Sequence, residues 1–484
     1  MATTVDLYGR SKIYTSVDTI DESNVEVVLE DALKIHNENV KQIDYLYDYF
    51  RGKTDILERT KEIRDDILNK INENRAKEIV DFKTAHLVGE DVVYSSFAEA
   101  NSEDVDALNQ LMRIEGLSTT NYSLVEWQNI AGVGVKLVLP KTDENAEGND
   151  NPDSEGNNPY IGEGDAPFTV DSVDPRQAFA IYSSGVHRQQ VAGVYMTTDD
   201  EDITTQWVYT HTKCFKLIDG KLDSTFDWTL WYFPIVEYPA NNARLGAFEV
   251  VIPLLDAINE LDSNRMDGIE QFIQALLVLV NCKLPEGMSA RAVAENGLLE
   301  LVSDATNPAK VEMLCQQLDQ QQTQTLKDDF YDAVLTICSM PNRQSRSGSS
   351  DNGIAVVYRD GWASAENASR TSQKMFEKSE YQTLRLILTI CRETGTLDIP
   401  LRNIKIDFTR NHYENMETKT TVLIQLLSNE KVHPLVAYEV CGLFADPNAK
   451  YLMGMEWYNQ QSQLTDTTVE TEVIDEPMAE TSDI

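Results

Sequence analysis

Carboxylates are the commonest chemistry-bearing side chains in this sequence. Asp256 and Glu260 stand four residues apart, and Asp328, Asp329 and Asp332 form a tight triplet. These spacings place carboxylates together on one helix face. General acid–base catalysis would need such a pair with one member tuned by its surroundings. With 80 Asp and Glu in the chain, pairs of this kind arise by number alone, and a solvated acidic face is the better reading. Asp199-Asp200-Glu201-Asp202 has enough oxygens for a hard cation. It lacks the alternating ligands and the glycine of a calcium loop, so it reads as a solvated turn. The six histidines (His36, His86, His187, His211, His412, His433) are isolated from one another, which gives no expectation of a metal site. The six cysteines (Cys214, Cys282, Cys315, Cys338, Cys391, Cys441) form no C-x-x-C pair and read as free, mostly buried thiols of a reducing compartment. G-x-x-x-x-G-K-[ST], H-E-x-x-H, G-x-S-x-G and a spaced G-x-G-x-x-G are all missing, and Gly132-Val133-Gly134 reads as strand punctuation. No catalytic residue, cofactor or metal is expected.

One segment differs in charge. Residues 342–353, rich in Ser and Gly, hold Arg343 and Arg346 against the single acid Asp351. The preceding span 248–340 has fifteen acids and five bases. Arginines and hydroxyls on a loop can touch a phosphate backbone, although the same composition suits an ordinary solvated linker.

Those residues need elements to position them. A chain of 484 residues is long enough for two to four domains, and 42% hydrophobic content is enough to fill their cores. The formal charge of −39 argues against a protein that coats DNA or RNA, and against docking on anionic lipid. The start of the chain has no secretory pattern, and no apolar run approaches the ~20 residues of a membrane span. Apolar spacing predicts helices over about 24–50, 55–87, 104–114 and 122–131. Alternation predicts strands over 133–139, 178–182, 190–197, 205–211 and 228–233. Residues 142–165 carry eight acids and no base, and residues 465–484 carry seven acids and no base; both are expected to be solvated and disordered. A long helix is expected over 248–275, then a compact module to about 314, then a second helix stopping at Met340-Pro341. A third long helix is expected over 354–392, with Gly361 as a weak point inside it. A strand over 404–408 and helices over 416–427, 434–444 and 449–463 complete an α+β, predominantly helical chain.

The order of these elements resembles the portal proteins of tailed double-stranded DNA bacteriophages, of the type found in siphophages of Gram-positive hosts. The resemblance covers roughly residues 25–460 and rests on several local patterns. Residues 72–81 (NENRAKEIVD) followed by Gly89–Tyr94 look like the family's early helix and turn. Val173-Asp174-Pro175 with Phe179 is similar to its strand start. Residues 233–242 (FPIVEYPANN) resemble the segment before its stem helix. Leu255-Asp256-Ala257-Ile258-Asn259 with Ser263 looks like the stem helix itself, and residues 350–356 resemble the start of its long helix.

The resemblance implies the phage portal fold of wing, stem, clip and crown, assembled as a ring of usually twelve subunits. On this chain it implies a wing at 1–247, stem helices at 248–275 and 318–340 and a clip at 276–317. It further implies a tunnel loop at 341–353, a long wing helix with return strand at 354–412, crown helices at 413–463 and an acidic tail at 464–484. Double-stranded DNA would pass the tunnel loop, with Arg343 and Arg346 the first candidates for backbone contact and Gln344, Ser345 and Asn352 beside them. Implied partners are the terminase large subunit, which would hold the nucleotide chemistry, a head–tail adaptor, and the major capsid and scaffolding proteins. The implied locations are the virion vertex and, during assembly, the host cytoplasm. Strong acidity suits a conduit, since each fixed Lys or Arg contact would trap moving DNA. Two other classes fit less well: a carboxylate-dependent hydrolase, which lacks a nucleophile motif, and a non-portal virion structural protein such as a scaffold.

Overall fold

The computed structural model describes residues 7–62, 65–96, 102–141, 164–273, 276–280, 310–314, 320–342, 361–408, 416–444 and 447–469. With 51% helix and 19% strand, the fold is α+β with helix predominant. The chain divides into two compact units: Met1–Thr4, Tyr45–Ile79 and Phe248–Ala365 in the first, and Val5–Asp44, Val80–Ala247 and Glu366–Ile484 in the second.

Two sheets, of six and of three strands, hold most of the described strands of the second unit. The larger has β1 (Ile13–Thr15), β5 (Ala178–Ser183), β6 (Gln190–Thr198), β7 (Thr204–Tyr209), β8 (Lys213–Ile218) and β9 (Lys221–Asp227) in the order β1-β5-β6-β7-β8-β9. Only the β1–β5 pairing is parallel. Helix α1 (Val25–Phe50) lays Val25, Val28, Leu29 and Ala32, at helical spacing, on Phe179, Ile181, Val194 and Phe215. Helices α2 (Arg75–Val88), α3 (Ser102–Ile114) and α4 (Leu117–Ala131) follow α1, with strand β2 (Val92–Ser96) between α2 and α3. Strands β3 (Val133–Pro140) and β4 (Phe168–Val173) join β10 (Ile235–Pro239) in the order β10-β3-β4. Gly132 ends α4 at φ +76°, where an added Cβ would stand 2.1 Å from the Arg244 carbonyl oxygen. Only glycine allows that approach.

The core of this unit encloses charge. Lys136 on β3 and Glu380 pair at 2.7 Å with neither side chain exposed, and Glu380 also accepts from the hydroxyls of Tyr94 and Tyr238, each at 2.6 Å. Burial lowers the lysine's pKa, with Glu380 opposing it, and raises both tyrosines well above their ordinary range. Glu237 on β10 takes Arg244 at 2.8 Å and the Tyr182 hydroxyl at 2.8 Å. Breaking such a pair by removing one partner typically costs about 3–5 kcal/mol, because the other charge is left buried alone.

In the first unit, α5 (Ile252–Ile273) follows a 3-10 turn over Glu249–Val251. Strands β11 (Leu276–Val280) and β12 (Lys310–Leu314) pair antiparallel, then α6 (Gln320–Ile337) packs on α5. Helix α6 closes with Met340 N–H on the Leu335 carbonyl (2.8 Å) and Ser339 N–H on Thr336 (3.1 Å). Ser339 sits at φ +54°, the left-handed position that glycine usually takes at a helix end.

Helix α7 (Trp362–Glu393) then leads to β13 (Ile404–Phe408), which pairs antiparallel with β2. The chain's last described elements are α8 (Met416–Leu427), α9 (Pro434–Cys441) and α10 (Pro447–Val469).

Three expectations need correction. Residues 55–87 are not one helix: Asp55–Glu58 forms a 3-10 turn, the described residues of 59–74 are extended or irregular, and α2 starts at Arg75. Residues 228–233 are not a strand, because Trp231 at φ +62° turns the chain and the Trp228 indole N–H donates to the Tyr232 carbonyl (2.8 Å). Gly361 lies before α7 rather than inside a helix; at φ +85° its carbonyl accepts the first helical N–H groups, from Ser364 and Ala365. The 142–163 part of the acidic loop and the tail from residue 470 lie outside the described residues.

Candidate functional site at the base of the helix pair

Helix α5 carries three short polar side chains at intervals of four: Asn259, Ser263 and Asp267. Four helical residues rise ~6 Å. Two residues of extended chain rise ~6.6 Å. The segment before α2 uses this match. Backbone N–H of Asn69 donates to Asp267 Oδ1 (2.7 Å), that of Ile71 to Ser263 Oγ (2.9 Å), and that of Glu73 to Asn259 Oδ1 (2.8 Å). Helix side chains therefore serve as the second strand for an extended chain running antiparallel to the helix. Asn72 and Asn74 point the other way and donate to the carbonyls of Gly52 (2.7 Å) and Phe50 (2.8 Å), at the exit of α1.

Charge completes the junction. Asp267 also takes Arg59 at 3.0 Å and pairs with Lys61. Burial alone would raise its pKa, but Lys61 and Asn69 outweigh that and hold it below the ordinary 3.8. Lys327 on α6 bridges Asp262 (2.7 Å) and Glu73 (2.5 Å). Glu73 is likewise lowered, burial being outweighed by Lys327 and Arg75. The Arg75 guanidinium lies 4.3 Å from the Tyr331 ring centroid, and the Tyr331 hydroxyl donates to Glu78 at 3.0 Å. Thus α5, α6 and the chain entering α2 are fixed by polar contacts that satisfy one another.

Outside that junction the helix pair presents carboxylates to solvent: Glu260, Asp328, Asp329 and Asp332 are all exposed. The acid pairs noted in the sequence therefore form no acid–base couple. Asp256 accepts from the Tyr49 hydroxyl (2.8 Å), its carboxyl raised by burial against that hydrogen bond, while Glu260 faces water. The acidic run at 199–202 is a turn, in which Asp199 Oδ1 accepts the N–H groups of Glu201 and Ile203, both at 2.9 Å.

Arg343, Gln344, Ser345, Arg346 and Asn352 lie outside the described residues. The ends of their segment are described. Asn342 Nδ2 donates to Asp332 Oδ1 (2.9 Å), and the Cβ position of Gly361 lies 3.5 Å from the Met340 carbonyl oxygen and 3.6 Å from Pro341 Cα. The chain therefore leaves α6 and returns to α7 at neighbouring points.

Among the described residues no three metal-ligating side chains cluster, and no helix is long and apolar enough to cross a membrane. Cys214, Cys338, Cys391 and Cys441 are buried thiols outside any disulfide. His36 stacks on Phe179 (4.2 Å between ring centroids) and bonds the Arg176 carbonyl (2.9 Å). Asn72–Arg75 and Asn259 with Ser263 were separate patterns in the sequence, and the structure brings them together. Lys327, Asp262 and Asp267 were missed; the four-residue spacing Asn259-Ser263-Asp267 was the available signal.

The family model described as "Phage portal protein, SPP1 Gp6-like" matches residues 29–464. No curated protein matches the chain.

Proposed function

Because the chain belongs to the SPP1 Gp6-like phage portal family, we propose that copies of it close into a ring at one capsid vertex, with α5 and α6 along the channel that DNA follows during packaging and ejection. Portal function itself comes with the family, which is structural and not a family of enzymes. The match over residues 29–464 carries this reading.

The geometry supports the finer parts. A channel must not bind phosphate tightly, since each neutralised phosphate releases counterions and adds affinity. Exposed Glu260, Asp328, Asp329 and Asp332 supply a repelling surface on the helix pair. Lys327 and Arg75, which could grip DNA, are committed to carboxylates. Apolar side chains left outward on the same helices, Met266 and Ile269 on α5 with Leu326 and Ile337 on α6, suit burial against a neighbouring copy. Residues 341–353 serve as the tunnel loop, with Arg343 and Arg346 making transient contacts to the DNA backbone and Gln344, Ser345 and Asn352 beside them.

In this reading 1–247 is the wing, 248–275 and 318–340 are the stem helices, and 276–317 is the clip. The clip docks the terminase large subunit during packaging and the head–tail adaptor afterwards. Residues 354–412 return to the wing, 413–463 form the crown and 464–484 the tail; the wing meets major capsid and scaffolding proteins. Assembly takes place in the host cytoplasm. Mass photometry of the purified protein tests closure: a species near twelve times the 54.6 kDa protomer is expected, and a monomer at every concentration and salt would contradict it.

A further inference from the structure

Strand β1 ends the six-stranded sheet, and β5 is its neighbour. The Ser184 N–H donates to the Thr15 carbonyl at 2.8 Å. In a parallel ladder a residue that turns its carbonyl to the neighbouring strand turns its N–H the same way, and the next residue turns both away. Ile13 and Thr15 therefore pair with β5, while Lys12 and Tyr14 direct their backbone N–H and C=O groups outward. Among the described residues no strand pairs with that edge. Ile13 is buried at 3% exposure, whereas Lys12 and Tyr14, on the opposite face, are exposed.

Two cations stand beside this open edge. Lys12 Nζ lies 5.4 Å from the Tyr182 ring centroid, and the Arg188 guanidinium 5.2 Å from that of Tyr14. Arg188 also donates to the Tyr14 hydroxyl at 3.3 Å. Among the described residues neither cation has a carboxylate partner.

We propose that the β1 edge is a docking site for an acidic peptide segment, which adds to the sheet as an extended strand. The partner's backbone would pair with Lys12 and Tyr14, and its alternate carboxylates would meet Lys12 and Arg188. Pairing along a strand edge selects a peptide, because main-chain donors and acceptors at the strand repeat give the affinity and alternate side chains the specificity. The same lysine discourages pairing between two copies of β1, each of which would bring its own positive charge. The site is independent of the channel and of the portal reading.

Fluorescence anisotropy with a labelled peptide of alternating Val and Glu, added to the full-length protein at low salt, tests this. Saturable binding is expected, with at least a tenfold loss in the Lys12→Glu/Arg188→Glu variant and no binding of the Val–Lys peptide. Tyr14→Pro removes an outward N–H without taking a bond from β5, and it should also weaken binding at least tenfold. Absence of saturable binding to the unaltered protein would overturn the proposal. So would binding that survives the charge-reversed surface variant, or a DNA duplex that displaces the peptide from the same site.

Discussion

Asp267 receives the backbone N–H of Asn69 at 2.7 Å, across 198 positions of sequence. It is one of three rungs by which side chains spaced by four on a helix satisfy amides spaced by two on an extended chain. Asp267→Ala takes the acceptor from that amide and the carboxylate from Arg59 and Lys61, which keep only carbonyl and amide oxygens. Hydrogen bonds to charged groups are worth about 1.5–3 kcal/mol each, so a loss of about 3 kcal/mol is expected for the variant. Urea unfolding measures it, and faster amide exchange confined to residues 67–75 would identify the junction as the place of the loss.

Acid should weaken the protein in two stages. Burial lowers the His36 pKa below its ordinary 6.5, so the unfolded chain takes up that proton first. Stability then falls with pH from about 6.5 down to the lowered folded value. Asp267, Glu73 and Glu237 have folded pKa values below the ordinary 3.8 and 4.5. Their contribution is complete above those ordinary values and is lost as pH falls through the lowered ones. Melting temperature between pH 8 and 3 should show both stages, and His36→Gln should remove the first while keeping a donor for the Arg176 carbonyl.

The two ends of the 343–360 loop should respond in opposite directions to substitution. Ser339 occupies a left-handed position at φ +54°, which costs a non-glycine residue about 1–2 kcal/mol. Ser339→Gly should therefore stabilise the end of α6 by about 1 kcal/mol, and Gly361→Ala at φ +85° should destabilise the start of α7 by a similar amount. Paired denaturation curves check the signs.

Arg343→Ala/Arg346→Ala should leave ring assembly intact while changing the packaged DNA length or its retention in filled heads. Gel analysis of DNA from heads assembled with the variant reads the effect, and unchanged packaging and retention would remove the role given to these two arginines.

Periodicity was informative where an element's own side chains decide its structure. Helix α1 buries residues at helical spacing, and β13 runs over Ile404–Phe408 as the alternation predicts. It misled over 55–87, where Ile56, Ile67 and Ile71 suit a helix. The decisive partners there are Asn259, Ser263 and Asp267, nearly two hundred residues away, which take the amides a helix would use internally. Strand β9 was missed because its exposure is mixed along its length and carries no clean alternation. Pieces of the junction were visible as Asn72–Arg75 and Asn259 with Ser263, but nothing local says that they meet. The reversal of charge at Arg343 and Arg346 is a feature of composition alone, and those residues lie outside the described ones.

Cryo-electron microscopy of the purified protein tests the central claim most directly. Closed rings are expected around a hole wide enough for a DNA duplex, with α5 and α6 along the channel and residues 341–353 facing its axis. Closed rings in which these helices lie on the outer surface, or particles with no central hole, would contradict it.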